Sequence, residues 1–322
     1  MARVLVTRPL TEGGTDPLLE AGHEIVLVRQ DGTALSPDEL IRAAAECDGI
    51  VCHLTDRVDT AVLESGRSGK LRVVANAAVG YDNIDVVTAS AMGITVCNTP
   101  GVLDDTTADL AFLLILTATR LASDAERDLR EGRWTGWGFG THLARDAHGA
   151  RLGLVGFGRI ARAVARRAEG FNMEVIHTTR HDTGVAGFVP TLEELLERAD
   201  IVSLHVPLTE STRHLIGAAE LARMKPTAVL INTARGAVVD ENALADALES
   251  GSVYAAGLDV YDGEPKVNPR LLAAPRTTLL PHIGSATIAT RTGMARLACQ
   301  GVCDVLAGRP PPNVVVPAQQ PA

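Results

Sequence analysis

The stretch 151-RLGLVGFGRIARAVARRAEGFNMEVIHTT-179 decides the fold. It opens as a short apolar run and turns at Gly156-Phe157-Gly158-Arg159-Ile160-Ala161. It then takes helical spacing and closes on a second β-rich run, "MEVIHTT". Strand, glycine turn, helix and strand in this order make the first unit of a dinucleotide-binding sheet. Gly156 permits the tight turn. Gly158 lets backbone approach a pyrophosphate, which the amides and dipole of the following helix stabilise. Ala161 stands where a third glycine often sits. The competing reading is a strand–helix corner whose glycines serve packing alone.

The second strand end carries its own message. An NAD-preferring unit places Asp or Glu about 20 residues beyond the glycine loop, near Thr178 or Thr179. Here the chain reads Thr178-Thr179-Arg180-His181, and the nearest acid, Asp182, is expected past the strand end. Hydroxyls beside a guanidinium suit a 2'-phosphate. NADP(H) is therefore the expected coenzyme, with NAD(H) as the second choice; a merely solvated strand end is the alternative. His177 and His181 are expected at the surface, His181 also as a minor phosphate contact.

Outward from this unit the chain alternates strand-like and helix-like runs. Before it lie "RVLVTRP", "EIVLVR", "GIVCHL", "LRVVANA" and "ITVCNTP"; after it lie "IVSLHVPL", "AVLINTAR", "YAAGLDV" and "TTLLPHIG". Apolar strands separated by helices predict α/β architecture with two parallel sheets, each covered on both faces, and a cleft between them as the natural ligand site. Between the halves, "DDTTADLAFLLILTATRLASDAERDLREGRW" predicts one long helix, capped by Asp105 or Thr106.

Composition narrows the partners. A net charge of -9 argues against nucleic acid, which needs clustered Lys and Arg. The densest apolar run, "LAFLLIL", is far short of the ~18 residues of a membrane span. The chain starts directly on a strand, with nothing like a signal peptide, so the cytoplasm is the expected location. Five cysteines in no paired framework, including Cys299 and Cys303 on one helix, read as small core residues, and no metal is expected.

Three later stretches bring chemistry to strand ends, where open parallel sheets bind ligands. "INTARGAVVDENAL" puts Arg235 after one strand, "GLDVYDGEP" puts Asp259 and Glu264 after another, and "LLPHIGSAT" puts His282 after a third. Reducing a 2-oxo acid takes a hydride at carbon and a proton at oxygen. Arg235 can clamp a carboxylate and polarise the carbonyl. His282 is the natural general acid. Glu264 can pair with the imidazolium and favour its charged form. Asp259 can hold the nicotinamide carboxamide. Singly, each has a plainer reading: a surface ion pair, a turn acid before Pro265, a satisfied histidine after Pro281.

In their order, "GFGRIA", "TARG", "GLDVYDGEP" and "PHIGSAT" resemble the D-isomer-specific 2-hydroxyacid dehydrogenases along essentially the whole chain. "VANAAVGYDNIDV" and "NTPGVLDDTTADLAFLLILTATR" are most similar to the glyoxylate and hydroxypyruvate reductase branch. The resemblance implies an NAD(P)-dependent oxidoreductase acting on CH–OH donors. It implies a flavodoxin-like substrate domain, residues 1–99 plus 286–322, and an inserted Rossmann-like NAD(P)-binding domain, residues 100–285. It assigns catalysis to Arg235, Glu264 and His282. Substrate contacts fall to Leu54, the backbone of Val79 and Gly80, Arg235 and His282. Cofactor contacts fall to Thr107, to Gly156, Phe157, Gly158, Arg159 and Ile160, and to Thr179, Arg180 and His181. The remaining cofactor contacts are His205, Val206, Pro207, Thr212, Thr233, Ala234, Arg235, Asp259, His282 and Gly284. The substrate is a small 2-oxo or 2-hydroxy acid. A homodimer is implied, joined through the long helix and "EGRW". Ala77 stands where similar reductases carry a larger residue. An NAD-linked phosphoglycerate dehydrogenase and a dinucleotide-sensing corepressor are the alternatives; a chain ending near residue 322 without a regulatory extension counts against the longer dehydrogenases.

Overall fold

The computed structural model describes residues 1–316; residues 317–322, the end of the expected C-terminal assignment, lie outside the described part. The chain divides into two compact units, Met1–Leu103 with Ser285–Ala322, and Asp104–Gly284.

The first unit runs β1 (Arg3–Val6), α1 (Asp16–Glu20), β2 (Glu24–Val26), α2 (Pro37–Ala45), β3 (Gly49–Cys52), α3 (Thr60–Ser68), β4 (Val73–Asn76), α4 (Val86–Ala91) and β5 (Thr95–Cys97). All its strand pairs are parallel, in the order β2-β1-β3-β4-β5. That is the flavodoxin-like order, and it reverses between β1 and β3. Both faces are covered, so β3 and β4 are buried throughout and carry no polar alternation. Side-chain caps start α2, α3 and α4: Ser36 accepts from Glu39 N, Asp59 from Val62 N and Asp85 from Thr88 N.

The second unit continues with α5 (Asp104–Thr119), α6 (Ala122–Arg130), β6 (Arg151–Val155), α7 (Arg159–Glu169), β7 (Glu174–Thr178), α8 (Leu192–Arg198), β8 (Ile201–Leu204) and α9 (Ala218–Arg223). It closes with β9 (Val229–Asn232), α10 (Glu241–Ser250), β10 (Ala255–Leu258), α11 (Pro269–Ala273) and β11 (Thr277–Leu279). Its six strands are parallel in the order β11-β10-β9-β8-β6-β7. One core packs β8 to β10 against Leu195, Leu221, Leu244 and Leu248; the other packs the sheet against Leu114, Ile115, Ala161 and Val164. The chain then returns to the first unit as α12 (Ile288–Leu306), where Ala298, Cys299, Val302 and Cys303 cover Val4, Val51 and Val73. All five cysteines are buried and free.

The single long helix expected after residue 103 is two helices. Leu121 adopts φ 51°, in the left-handed region, and α5 and α6 meet at a 68° bend. The apolar run ends there, and "ASDAERDLR" has no buried residue to hold it on the line of α5. Asp105 and Thr106 lie inside the first turn of α5 rather than capping it. No single helix among the described residues is long and apolar enough to cross a membrane.

Candidate active site

In the second unit the strand order reverses at β6, between β7 and β8, and the glycine turn sits at its carboxyl end. The two glycines differ in kind. Gly156 has φ +88°, and a Cβ there would lie 2.6 Å from the His205 carbonyl oxygen and 3.1 Å from Val206 Cγ1. It is required by packing and by conformation. A Cβ on Gly158 would meet no protein atom within 4 Å. Packing therefore does not require that second glycine, and its backbone is left open to close approach. Gly158 is also the N-cap of α7 and supplies no side-chain cap, which leaves first-turn amides to serve an anion. Arg159 is paired with Asp104 at 3.2 Å, and Ile160 continues the first turn.

Beyond β7, Thr179 Oγ1 donates to the His181 carbonyl at 2.5 Å, and Arg180 and His181 are exposed. Asp182 lies past the strand, where its carboxylate accepts from Gly184 N at 2.8 Å. His177 is not at the surface, contrary to the sequence reading. It is fully buried, stacked on Phe157 with centroids 3.9 Å apart, and its Nε2 lies 3.1 Å from Thr183 Oγ1. Burial, then the charge of Arg162, pushes its pKa below the usual value.

After β8, His205 Nε2 is 2.9 Å from Ser203 Oγ, and burial pushes the ring down to about 4, so it is neutral near pH 7. Val206 and Pro207 follow, and Thr212 Oγ1 donates to the Pro207 carbonyl at 2.6 Å, closing the loop on itself. After β9, the Thr233 hydroxyl is buried with no protein hydrogen-bond partner, an acceptor and donor suited to a ligand. Ala234 takes a hydrogen bond from Arg235 Nη1 at 2.8 Å, and its own N–H donates to Asn232 at 3.0 Å. Gly236 admits no side chain: a Cβ would lie 1.8 Å from the Tyr261 carbonyl carbon. The loop bearing Arg235 thus presses directly on the loop bearing Glu264.

Glu264 and His282 are joined. The His282 Nδ1 donates to Glu264 Oε2 at 2.7 Å, and Glu264 Oε1 accepts from Tyr261 N at 2.8 Å. Burial pushes Glu264 upward, but these two hydrogen bonds, then the charges of His282 and Arg235, outweigh it and hold the carboxyl below its usual range. With Nδ1 committed to the carboxylate, Nε2 is the nitrogen left for a substrate. His282 has φ 55°, an uncommon left-handed backbone. Asp259 supports the next two residues: Oδ1 accepts from Ile283 N and Oδ2 from Gly284 N, each at 2.8 Å. Burial pushes Asp259 up to about 6 against the pull of those amides and of His282. Thr107 lies alongside; a Cβ on Gly284 would be 3.2 Å from Asp259 Oδ2 and 3.5 Å from Thr107 Cγ2. The amide clamp by Asp259 and the contact at Gly236 were not read from the sequence.

In the first unit, Leu54 follows β3, and Val79 and Gly80 follow β4. The carbonyls of Ala78, Val79 and Gly80 accept from Thr99 N at 2.9 Å, Asn98 Nδ2 at 2.8 Å and Asn76 Nδ2 at 2.7 Å. In a trans peptide the N–H points opposite the carbonyl, so the Val79 and Gly80 amides are turned away from these partners.

Comparison with known proteins fits this geometry. Residues 112–284 match the D-isomer specific 2-hydroxyacid dehydrogenase, NAD binding domain. The glyoxylate reductase of Thermococcus litoralis is 44% identical, over 97% of this chain and 96% of that protein. The TT0316 protein from Thermus thermophilus is 43% identical with a TM-score of 0.91, over 98% of this chain and 100% of that one. The NADPH-dependent glyoxylate/hydroxypyruvate reductase of Sinorhizobium meliloti, solved with NADP and malonate, is 35% identical with a TM-score of 0.85, over 99% of each chain. The chain belongs to the D-isomer-specific 2-hydroxyacid dehydrogenase family, and it is an NAD(P)-dependent oxidoreductase acting on CH–OH donors. Within that family it lies with the glyoxylate and hydroxypyruvate reductase branch.

Proposed function

We propose that the protein reduces glyoxylate or hydroxypyruvate, with NADPH preferred over NADH, to the corresponding 2-hydroxy acid, D-configured where the product is chiral. The observation that carries the reading is the hydrogen-bonded His282–Glu264 pair, set at the carboxyl end of the sheet that also bears the glycine turn. Residues 100–285 are assigned to coenzyme, and residues 1–99 with 286–322 to substrate.

The glycine turn and Thr107 would hold the coenzyme, with Thr179, Arg180 and His181 at its 2'-phosphate. His205 to Pro207, Thr212, Thr233 to Arg235, Asp259 and His282 to Gly284 line the rest. Bound there, it supplies the hydride. Arg235 holds the substrate carboxylate and draws charge toward the carbonyl oxygen. The Val79 and Gly80 amides and the Leu54 side chain are the substrate contacts assigned to the first unit. His282 Nε2 carries the proton that the carbonyl oxygen receives, while ionised Glu264 orients the ring and balances its charge. Asp259 sets the ring's position through the two amides that follow it.

Steady-state assays of both oxo acids with both coenzymes test this reading. Turnover of glyoxylate or hydroxypyruvate, faster with NADPH, is expected; no turnover of either acid would sink it. A homodimer is part of the proposal. Trp137 and Phe139, 83% and 90% exposed with ring centroids 6.1 Å apart, form an apolar pair that a second copy would cover. Sedimentation equilibrium at monomer mass would remove the dimer and leave the chemistry standing.

A further inference from the structure

We propose that His177 is a positioning residue for coenzyme choice, its buried imidazole tying the glycine turn to the loop that carries Thr179 and Arg180. The inference rests on the reading of that loop as the 2'-phosphate site. On one side the His177 ring lies flat on Phe157, with planes 19° apart, and the Arg162 guanidinium covers Phe157 at 4.7 Å. Phe157 is the middle residue of the glycine turn, so the stack reaches the pyrophosphate side. On the other side His177 Nε2 reaches Thr183 Oγ1 at 3.1 Å.

The loop between is anchored at both ends by backbone. His177 N donates to the Gly187 carbonyl and Val189 N to the His177 carbonyl, each at 2.8 Å. Gly187 has φ +87°, and a Cβ there would lie 2.4 Å from the Val175 carbonyl oxygen, so the return point is fixed. Residues 179–186 therefore form an arc that leaves β7 and returns beside it, and the contact to Thr183 holds that arc near its middle. The Thr183 hydroxyl in turn accepts from Val185 N at 3.4 Å. Neutral at physiological pH, the ring adds no charge of its own; it places that of Arg180. NADH has no 2'-phosphate, so displacing the arc weakens NADPH alone.

Fluorescence titration of NADPH and NADH against the wild type and four variants tests this. His177→Phe keeps a ring against Phe157 and loses the hydrogen bond. Thr183→Val removes the other partner at an exposed position, where folding is not at risk. Each is expected to raise the NADPH Kd about three- to tenfold, as loss of one hydrogen bond allows, with NADH changed less than about twofold. The double variant should be no worse than either single one. Arg180→Ala is run beside them. If it lowers the preference for NADPH while both His177→Phe and Thr183→Val leave it unchanged, the positioning role is overturned and the 2'-phosphate reading stands. If His177→Phe weakens both coenzymes equally, the ring serves only sheet packing and the inference is overturned. If Arg180→Ala leaves the preference unchanged, the loop reading fails and takes the inference with it.

Discussion

Around β6 and β7, the groups that face the dinucleotide turn come from one contiguous stretch and are held by a glycine, a ring stack and a helix N-terminus. Around β9, β10 and β11, the groups come from three separate loops and are held by carboxylates, Asp259 buried and Glu264 half-buried, that grip backbone amides and the His282 ring. In the first region the cations stay exposed. In the second, Glu264 and Asp259 have both oxygens committed before any substrate arrives. Recognition can be assembled from local sequence; an acid–base pair needs tertiary contacts to fix its geometry.

The contrast can be broken most sharply at His282. Replacing it with Ala should lower the rate of reduction about 10²- to 10⁴-fold, read in steady-state kinetics, because the proton donor is lost. The glycines come next. Gly236→Ala drives a methyl into the Tyr261–Asp262 peptide and should cost about 3 kcal/mol or more in a denaturant melt. Gly158→Ala meets no protein atom, so it should cost about 1 kcal/mol or less in the same melt, the scale of a cap change, yet weaken coenzyme binding. Arg180→Ala should raise the NADPH KM about 10- to 100-fold, the scale of a charge-assisted hydrogen bond, and leave that for NADH nearly unchanged.

The smallest effect is on stability against pH. Asp259 is raised to about 6 when folded, above its unfolded value, so the folded state binds its proton more tightly. Its contribution is fully present below about pH 4 and falls as pH rises toward about 6, by at most ~1.4 kcal/mol per unit. Glu264 has the opposite sign: its folded pKa is depressed, so its contribution is present above the usual carboxylate range and lost as pH falls through the folded value. Chemical melts of Asp259→Asn across this range should lack the Asp259 slope. A slope unchanged in the variant would assign it to other groups.

Much of this was legible in the sequence. Strand–helix alternation gave the two parallel sheets, and spacing alone placed the glycine turn after β6 and Arg235, Asp259 and His282 after three buried strands. The rest depended on contacts between distant residues. Nothing near Asp259 announces that it clamps amides 24 and 25 residues onward. Nothing near Gly236 shows the Tyr261 peptide against it. The break at Leu121 follows from where the buried face stops, which only the packing of α5 reveals. His177 was the avoidable miss: it lies in a parallel strand, and parallel strands are buried on both faces.

The most direct test is a single-turnover experiment in which NADPH is bound first and glyoxylate is mixed with the wild type or with His282→Ala. The account predicts a hydride-transfer rate about 10²- to 10⁴-fold slower in the variant. A variant that transfers hydride as fast as the wild type would contradict the assignment of His282 as the proton donor.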